Sequence, residues 1–516
     1  MLGAECLLRT LLESGIDTCF MNPGTSEMQF VAALDRVHGM RSVLGLFEGV
    51  CSGAADGYAR MLRRPAATLL HLGPGLGNAL ANLHNARKAR SPVVNIVGQH
   101  TTQHLRYDAP LTADIEAFAR PVSGWVRTLH NAYDMGADAA AAIRAACAPP
   151  GQIATLIVPA DFSWSDAGEP AQTSQPPLRR DPRPECVRAA AAVLNSGEPT
   201  GLLLGGATLL APGLHAAGQL AAATSVRVFA DRNAARTERG AGRFSPLRIP
   251  YFPEDAEPVL AGLKHLILVE SLQPVSFFGY PGRRSTLAPE DCAIHVLASI
   301  EENGAEALQA LADECGAQSA TPAVLPPARL ALPKGAPLTP EAIGLTLAAE
   351  MPEGSIVSDE MISVAEAVLR NLAGARPFDH LPITGGSIGQ GLPVAVGAAV
   401  ACPDRKVIAL EADGSAMYTL QSLWTMARER LDVVAIILAN RRYKILEIET
   451  RRTGSGSIGP RANDMMDLTR PDLDWVKLAQ GHGVPASRAS TSGEFLAQFR
   501  DAIVHRGPRL IEAVLE

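Results

Sequence analysis

Short, nearly unbroken runs of Val, Ile and Leu recur along the chain and constrain its fold more than any other feature. They include "SPVVNIVG", "ATLIVPA", "GLLLGG", "HLILVES", "KVIALEADG" and "DVVAIILAN", each followed by a helical pattern. Strands with one wet face alternate apolar and polar residues; strands covered by helices on both faces do not, so these runs predict parallel sheets of α/β type. Two proline-rich stretches, 169–185 and 321–340, interrupt the pattern and read as extended crossings between domains. At 516 residues the chain exceeds what a single core holds. The expectation is three open α/β domains with mainly parallel sheets, over about 1–170, 185–320 and 338–516.

The balance of residues excludes several functions. A net charge of −7 leaves no basic footprint for nucleic acid. No stretch approaches 18 uncharged apolar residues, and the start of the chain lacks a basic segment followed by an apolar one, so neither membrane insertion nor export is expected. The eight cysteines are scattered singly and read as reduced core thiols of a cytoplasmic protein.

The segment 406–440 carries the sharpest chemical signal. Strand "KVIALEA" runs into Asp413-Gly414-Ser415, a helix is predicted from about 416 to 430 burying Leu420, Leu423, Trp424 and Ala427, and strand "VVAIILA" ends at Asn440. In a right-handed βαβ unit both strands end on the same edge, so Asp413 and Asn440 converge. A carboxylate, an amide oxygen and a nearby backbone carbonyl form a hard-oxygen set suited to Mg²⁺. The Gly414 and Ser415 amides at the helix start would meet phosphate. Taken alone, Asp413 could be a helix cap and Asn440 a turn residue; their pairing points to a metal diphosphate.

Asp-Gly-Ser followed 27 positions after the Asp by Asn resembles the motif of the thiamine diphosphate-dependent enzymes. Two positions depart from the family pattern. Ala412 stands where glycine is usual and asks only for a negative φ; Ala439 replaces the first of two asparagines. The resemblance implies thiamine diphosphate and Mg²⁺ as cofactors, with Asp413, Asn440 and the Arg442 carbonyl as metal ligands. It implies that Glu48 in "GLFEGVCSGAADGYAR" meets the aminopyrimidine ring, in an apolar pocket formed by Leu46, Phe47, Val50 and Cys51. Pro23 and Gly24 of "NPGTSE" would lie beside the cofactor, with Thr25 holding the substrate carboxylate. In "LLHLGPGLGNAL", His71 falls at an active-site histidine of benzoylformate decarboxylases, although a lone histidine after a strand is more often structural. "TGGSIGQGLP" places Ile388 as the wedge between the cofactor rings and the Gly386 carbonyl as acceptor of the aminopyrimidine amine; Ser363 would be a phosphate donor.

The same resemblance implies sites completed by the first domain of one copy and the third of another, in a homodimer or homotetramer. Pyrimidine-binding, central and diphosphate-binding roles then fall to the three domains in order. The expected reaction is decarboxylation of a 2-oxo acid with ligation to a carbonyl acceptor, as in acetolactate synthases. The second histidine of benzoylformate decarboxylases is missing from "QPVSFFGYPG" (273–282), which tells against a decarboxylase releasing free aldehyde, the alternative. A catalytically silent assembly or sensor subunit is a further alternative, disfavoured by retention of Glu48. Pro110, Leu111, Ile445 and Glu449 are the substrate-pocket candidates. The charge run 444–452 is also read as a solvated helix face. FAD is not expected, since "GLLLGGATLL" lacks a full G-x-G-x-x-G.

Overall fold

A computed structural model describes residues 1–173, 178–327, 336–454 and 456–515. Parts of both proline-rich crossings, 174–177 and 328–335, lie outside the described residues. Around these gaps the crossings touch the central domain, through bridges Arg180 to Glu302 and Val324 to Phe244.

Three sheets form, each with helices on both faces. The first orders its strands Arg41–Leu44, Thr18–Asn22, Ala66–Leu70, Val93–Gln99, Ile153–Pro159 and Trp125–Thr128, all parallel. In the second the order is Leu247–Arg248, Arg227–Ala230, Thr200–Leu204, His265–Val269 and Ala293–Ala298, again all parallel. The third runs Ala486–Ala489, Arg509–Val514, Val433–Ala439, Val407–Ala412, Ile356–Glu360 and Phe378–Pro382 in parallel, then ends on an antiparallel edge strand, Thr237–Arg239.

That last strand belongs to the central segment of the sequence, so the central chain reaches across and covers an edge that would otherwise present unpaired backbone groups. The run is short and polar, which is why no strand is predicted from its pattern. The α/β class with three mainly parallel sheets is otherwise as expected.

The cores explain how the domains hold together. The central sheet keeps two clusters of its own, one on each face. The inner faces of the first and third sheets share a single cluster that runs from Phe20 and Leu76 to Leu392 and Trp475. At its centre helix Glu48–Leu62 packs on helix Gly391–Ala401, whose residues Gly391 to Val400 are all buried. Gly57 and Gly397 make the approach possible: a Cβ on the first would run into the Val394 backbone, and one on the second into the Ala54 carbonyl. Close backbone approach of this kind needs small residues on both helices. It fixes the first and third domains of one chain against each other.

Candidate active site

Three neighbouring strands of the first sheet end on one edge, and each delivers a polar side chain there. Glu48 opens helix Glu48–Leu62 just after strand Arg41–Leu44 and is 7% exposed. Its Oε2 accepts from Asn78 Nδ2 at 3.0 Å. The Cβ position of Gly75 lies 3.3 Å from both Glu48 Oε1 and His71 Cβ, so these two side chains flank the same helical turn. Of the expected apolar surround, Val50 and Cys51 are buried, but Leu46 is 46% exposed and stands at the rim. Burial, then the charge of Glu48, pushes the Cys51 thiol far up.

His71 occupies the N-cap position of helix Leu72–Ala89 and is paired rather than alone. Its Nδ1 lies 2.8 Å from Glu27 Oε2, and Glu27 is 4% exposed. The same carboxylate oxygen accepts from the Gly24 amide at 2.8 Å. Gly24 is required here because a Cβ would overlap the His71 ring. A carboxylate accepting from Nδ1–H leaves Nε2 as the free nitrogen of the ring. Thr25 is exposed, while its neighbour Ser26 brings Oγ to 3.4 Å from His71 Nδ1. Pro23 and Gly24 are half-buried in the same loop.

The third sheet offers a different set of groups. Asp413 follows strand Val407–Ala412, where Ala412 has φ −76°, the negative value the substitution requires. The predicted helix from 416 to 430 is instead one turn, Asp413–Ala416, followed by a separate helix, Ser422–Arg428. The buried face of this second helix consists of Ser422, Leu423, Thr425 and Met426, while Leu420, Trp424 and Ala427 are only half-buried. Thr419 explains the break: its hydroxyl donates to the Gly389 carbonyl at 3.0 Å, tying the intervening turn to the neighbouring loop.

Asp413 Oδ2 accepts from the Arg441 amide at 2.6 Å and Oδ1 from the Gly414 amide at 2.8 Å. Asn440 Oδ1 accepts from the Arg442 amide at 3.1 Å, and the Arg442 carbonyl from the Lys444 amide at 2.9 Å. Each oxygen keeps a further lone pair.

Asp413 is 3% exposed and forms no ion pair among the described residues, and burial pushes its carboxyl above the usual range. A buried carboxylate with no cationic partner is what a divalent cation would offset. No cluster of three His, Cys, Asp or Glu suited to a metal occurs among the described residues. Asn440 and Arg442 line a cavity of about 450 Å³ together with Ser363 and Lys444. Gly414 and Ser415, which follow Asp413, are buried, the former under the Tyr443 ring.

The loop carrying Gly386 and Ile388 is braced from two sides. Asn85 exchanges hydrogen bonds with Ser387, at 2.7 and 3.2 Å, and Asn82 donates to the Gly389 carbonyl at 3.1 Å. From the third sheet, the Glu360 carboxylate accepts from the Gly389 and Gly391 amides at 2.7 and 2.6 Å. Gly386 has φ +78° and lies under the Phe277 ring, which a Cβ would strike.

Comparison with known proteins agrees with this geometry. The thiamine pyrophosphate enzyme N-terminal TPP binding domain matches residues 1–118, and the C-terminal TPP binding domain matches 367–513. The chain is a thiamine pyrophosphate enzyme. It is 52% identical to a Mycobacterium tuberculosis protein provisionally named acetolactate synthase large subunit IlvX, covering 100% of this chain and 99% of that one. To benzoylformate decarboxylase of Pseudomonas aeruginosa it is 30% identical, over 97% of this chain and 96% of the relative. Among solved structures, the thiamine diphosphate-dependent 4-hydroxybenzoylformate decarboxylase of Rhodococcus jostii RHA1 superposes with TM-score 0.86 at 25% identity, covering 100% and 99% of the two chains.

The pocket candidates of this thiamine pyrophosphate enzyme fall on two separate elements. Pro110 and Leu111 are exposed in the loop after the first sheet's edge, and Ile445 and Glu449 sit half-buried on helix Lys444–Arg452. Glu449 is not free, since its Oε1 accepts from the Tyr280 hydroxyl at 3.1 Å. Nor is this helix simply solvated: Glu447 is buried and paired with Lys444 and Arg451, and Arg452 pairs with Glu254 across to the central domain.

Sequence reasoning passed over Glu27 and Glu360. Glu27 lies beyond the Pro23-Gly24 turn and Glu360 ends the largely polar strand Ile356–Glu360, so neither stands out as Asp413 does at the end of an apolar run.

Proposed function

We propose that this thiamine pyrophosphate enzyme decarboxylates a 2-oxo acid, with pyruvate or a similar small acid as donor, and joins what remains to a second carbonyl. The carrying observation is the buried Asp413, held by main-chain amides and without an ion pair among the described residues, beside Asn440 on a sheet edge opposite in character to the one holding Glu48. When bound, thiamine diphosphate supplies a carbon nucleophile and an electron sink. Asp413, Asn440 and the Arg442 carbonyl would hold Mg²⁺. Ser363 and the amides of Gly414 and Ser415 would meet the phosphates. Glu48 would share a proton with the aminopyrimidine, Gly386 would accept from its amine, and Ile388 would separate the rings. His71, oriented by Glu27, keeps Nε2 for the oxygens of the substrate. Phe277, placed against Gly386 where an imidazole would favour proton delivery, supports an apolar wall receiving a second carbonyl.

Two copies form the minimum unit on this reading, the pyrimidine-binding domain of one (1–170) facing the diphosphate-binding domain of the other (338–516), as a homodimer or homotetramer. The central domain spans 185–320. The exposed Leu46 and Leu111 beside the first edge support a covered surface there. A cytoplasmic setting is supported by eight free cysteines. No helix among the described residues is long and apolar enough to cross a membrane.

The Glu27–His71 pair favours a second reading, a lyase of benzoylformate decarboxylase type, because an oriented imidazole is a proton-handling group. Product analysis separates them. Incubation with pyruvate or benzoylformate, thiamine diphosphate and Mg²⁺ should yield carbon dioxide and a 2-hydroxy ketone; free aldehyde as the sole organic product selects the lyase, and no carbon dioxide refutes both.

A further inference from the structure

Either reaction consumes one proton per turnover. Breaking the bond between keto carbon and carboxylate releases carbon dioxide and leaves the bonding pair on the keto carbon. That pair takes a proton to give an aldehyde, or forms a bond to a second carbonyl, whose oxygen then takes the proton. A site closed between two subunits needs a route by which that proton enters.

The first sheet's edge contains a group that the functions assigned so far do not use. His100 directly follows strand Val93–Gln99, which neighbours the strand ending at His71. Leu70 pairs with Val97, so His71 stands level with Gly98 and His100 lies two residues further out on the adjacent strand. The His100 Nε2 is enclosed and has no hydrogen-bond partner among the described residues. Its ring centroid is 5.4 Å from that of His104, which is 5.8 Å from that of Tyr107, and Tyr107 is 63% exposed. Tyr107 and His104 are both exposed, His100 is half-buried, and His71 at the neighbouring strand end is near enough to act on it electrostatically.

The surroundings suit a relay. Burial first, then His104 and His71, hold the His100 imidazole below its ordinary value, so near neutral pH it has one donor and one acceptor nitrogen. The titratable groups that act on it are His104 from its own loop, itself against Tyr107, and His71 from the neighbouring strand end. Asp161 anchors that loop by accepting from the Thr102 amide and hydroxyl at 3.0 and 2.6 Å. Gly98 is bare because a side chain there would strike Glu27, which brings the strand leading to His100 against the Glu27–His71 pair.

We infer that His100 is a proton-relay residue, passing the proton consumed in each turnover from the His104 side to His71 and the reacting atoms. The inference rests on the 2-oxo-acid decarboxylase reading. The test uses the full chain loaded with thiamine diphosphate and Mg²⁺, with benzoylformate and pyruvate as probes. His100→Phe and His100→Gln should each lower kcat by about tenfold or more while KM changes by less than about threefold. Carbon dioxide should still appear as a first-turnover burst equal to the sites present, since carbon dioxide departs before the proton is needed, and added imidazole should restore turnover. Gln keeps a polar side chain of similar reach without carrying a proton, so it decides the matter if Phe does not fold. Independently of turnover, proton titration of the unloaded protein by nuclear magnetic resonance should show His100 moving up when His71→Phe removes its neighbour. Wild-type protein that releases no carbon dioxide defeats the function and the relay together. An active wild type with His100→Gln within twofold of its kcat defeats the relay alone, as does a His100 titration unmoved by His71→Phe.

Discussion

The two sheet edges that face the chemistry are built from different materials. On the first, contacts run mainly from side chain to side chain, Asn78 to Glu48 and Glu27 to His71, although Glu27 also accepts from the Gly24 amide. On the third they run from backbone to side chain: Asp413, Asn440 and Glu360 all accept main-chain N–H groups. Main-chain donors are fixed by the sheet and its loops and change neither charge nor position, which suits them to orienting oxygens that would hold a cation and to meeting a diphosphate. Carboxylates and imidazoles held by one another can exchange protons, which suits the first edge to acid–base work. On the proposed function, one edge would hold the cofactor and the other would handle its protons.

Substitutions should break this contrast in graded steps. Asp413→Ala removes the buried anion that a cation would neutralise, and turnover should fall by roughly 10³-fold or more together with retention of thiamine diphosphate on gel filtration. Glu48→Gln should cost turnover about 10²- to 10⁴-fold in steady-state kinetics while the protein still takes up cofactor, because only the proton-sharing acid is lost. Glu27→Gln leaves the His71 ring without its carboxylate and should lower kcat about tenfold, with fold and cofactor uptake intact.

The smallest effect should appear in stability. Burial raises the Glu360 carboxyl to about 7, beside Glu411, which burial and the charge of Glu360 push up as well. A carboxyl whose value rises on folding stabilises the protein at pH below its unfolded value, and that contribution is lost as pH rises through the folded value. The cofactor-free protein should therefore melt at progressively lower temperature from about pH 5 to 8, and Glu360→Gln should flatten that dependence in calorimetry.

Much of the fold was legible because parallel strands buried on both faces must be apolar throughout, and the runs from "SPVVNIVG" to "DVVAIILAN" are. Asp413 and Asn440 were singled out by their pairing across one βαβ unit, and Glu48 by the resemblance built on that pairing, since each alone has ordinary uses as a cap, turn or first-turn residue. The edge strand Thr237–Arg239 was not, since a polar three-residue strand is defined only by the partner it covers. The break after Ala416 depends on a hydrogen bond from Thr419 to Gly389, thirty positions away. Glu27 and His100 acquire meaning only when the strand order sets their loops beside His71, information that periodicity does not contain.

The most direct test of the division between edges is calorimetric titration of thiamine diphosphate into the full chain with and without Mg²⁺, repeated for Glu48→Gln and Asp413→Ala. The account predicts one cofactor bound per chain only when Mg²⁺ is present, retained by Glu48→Gln and lost by Asp413→Ala. Binding that ignores Mg²⁺ and survives Asp413→Ala would contradict it.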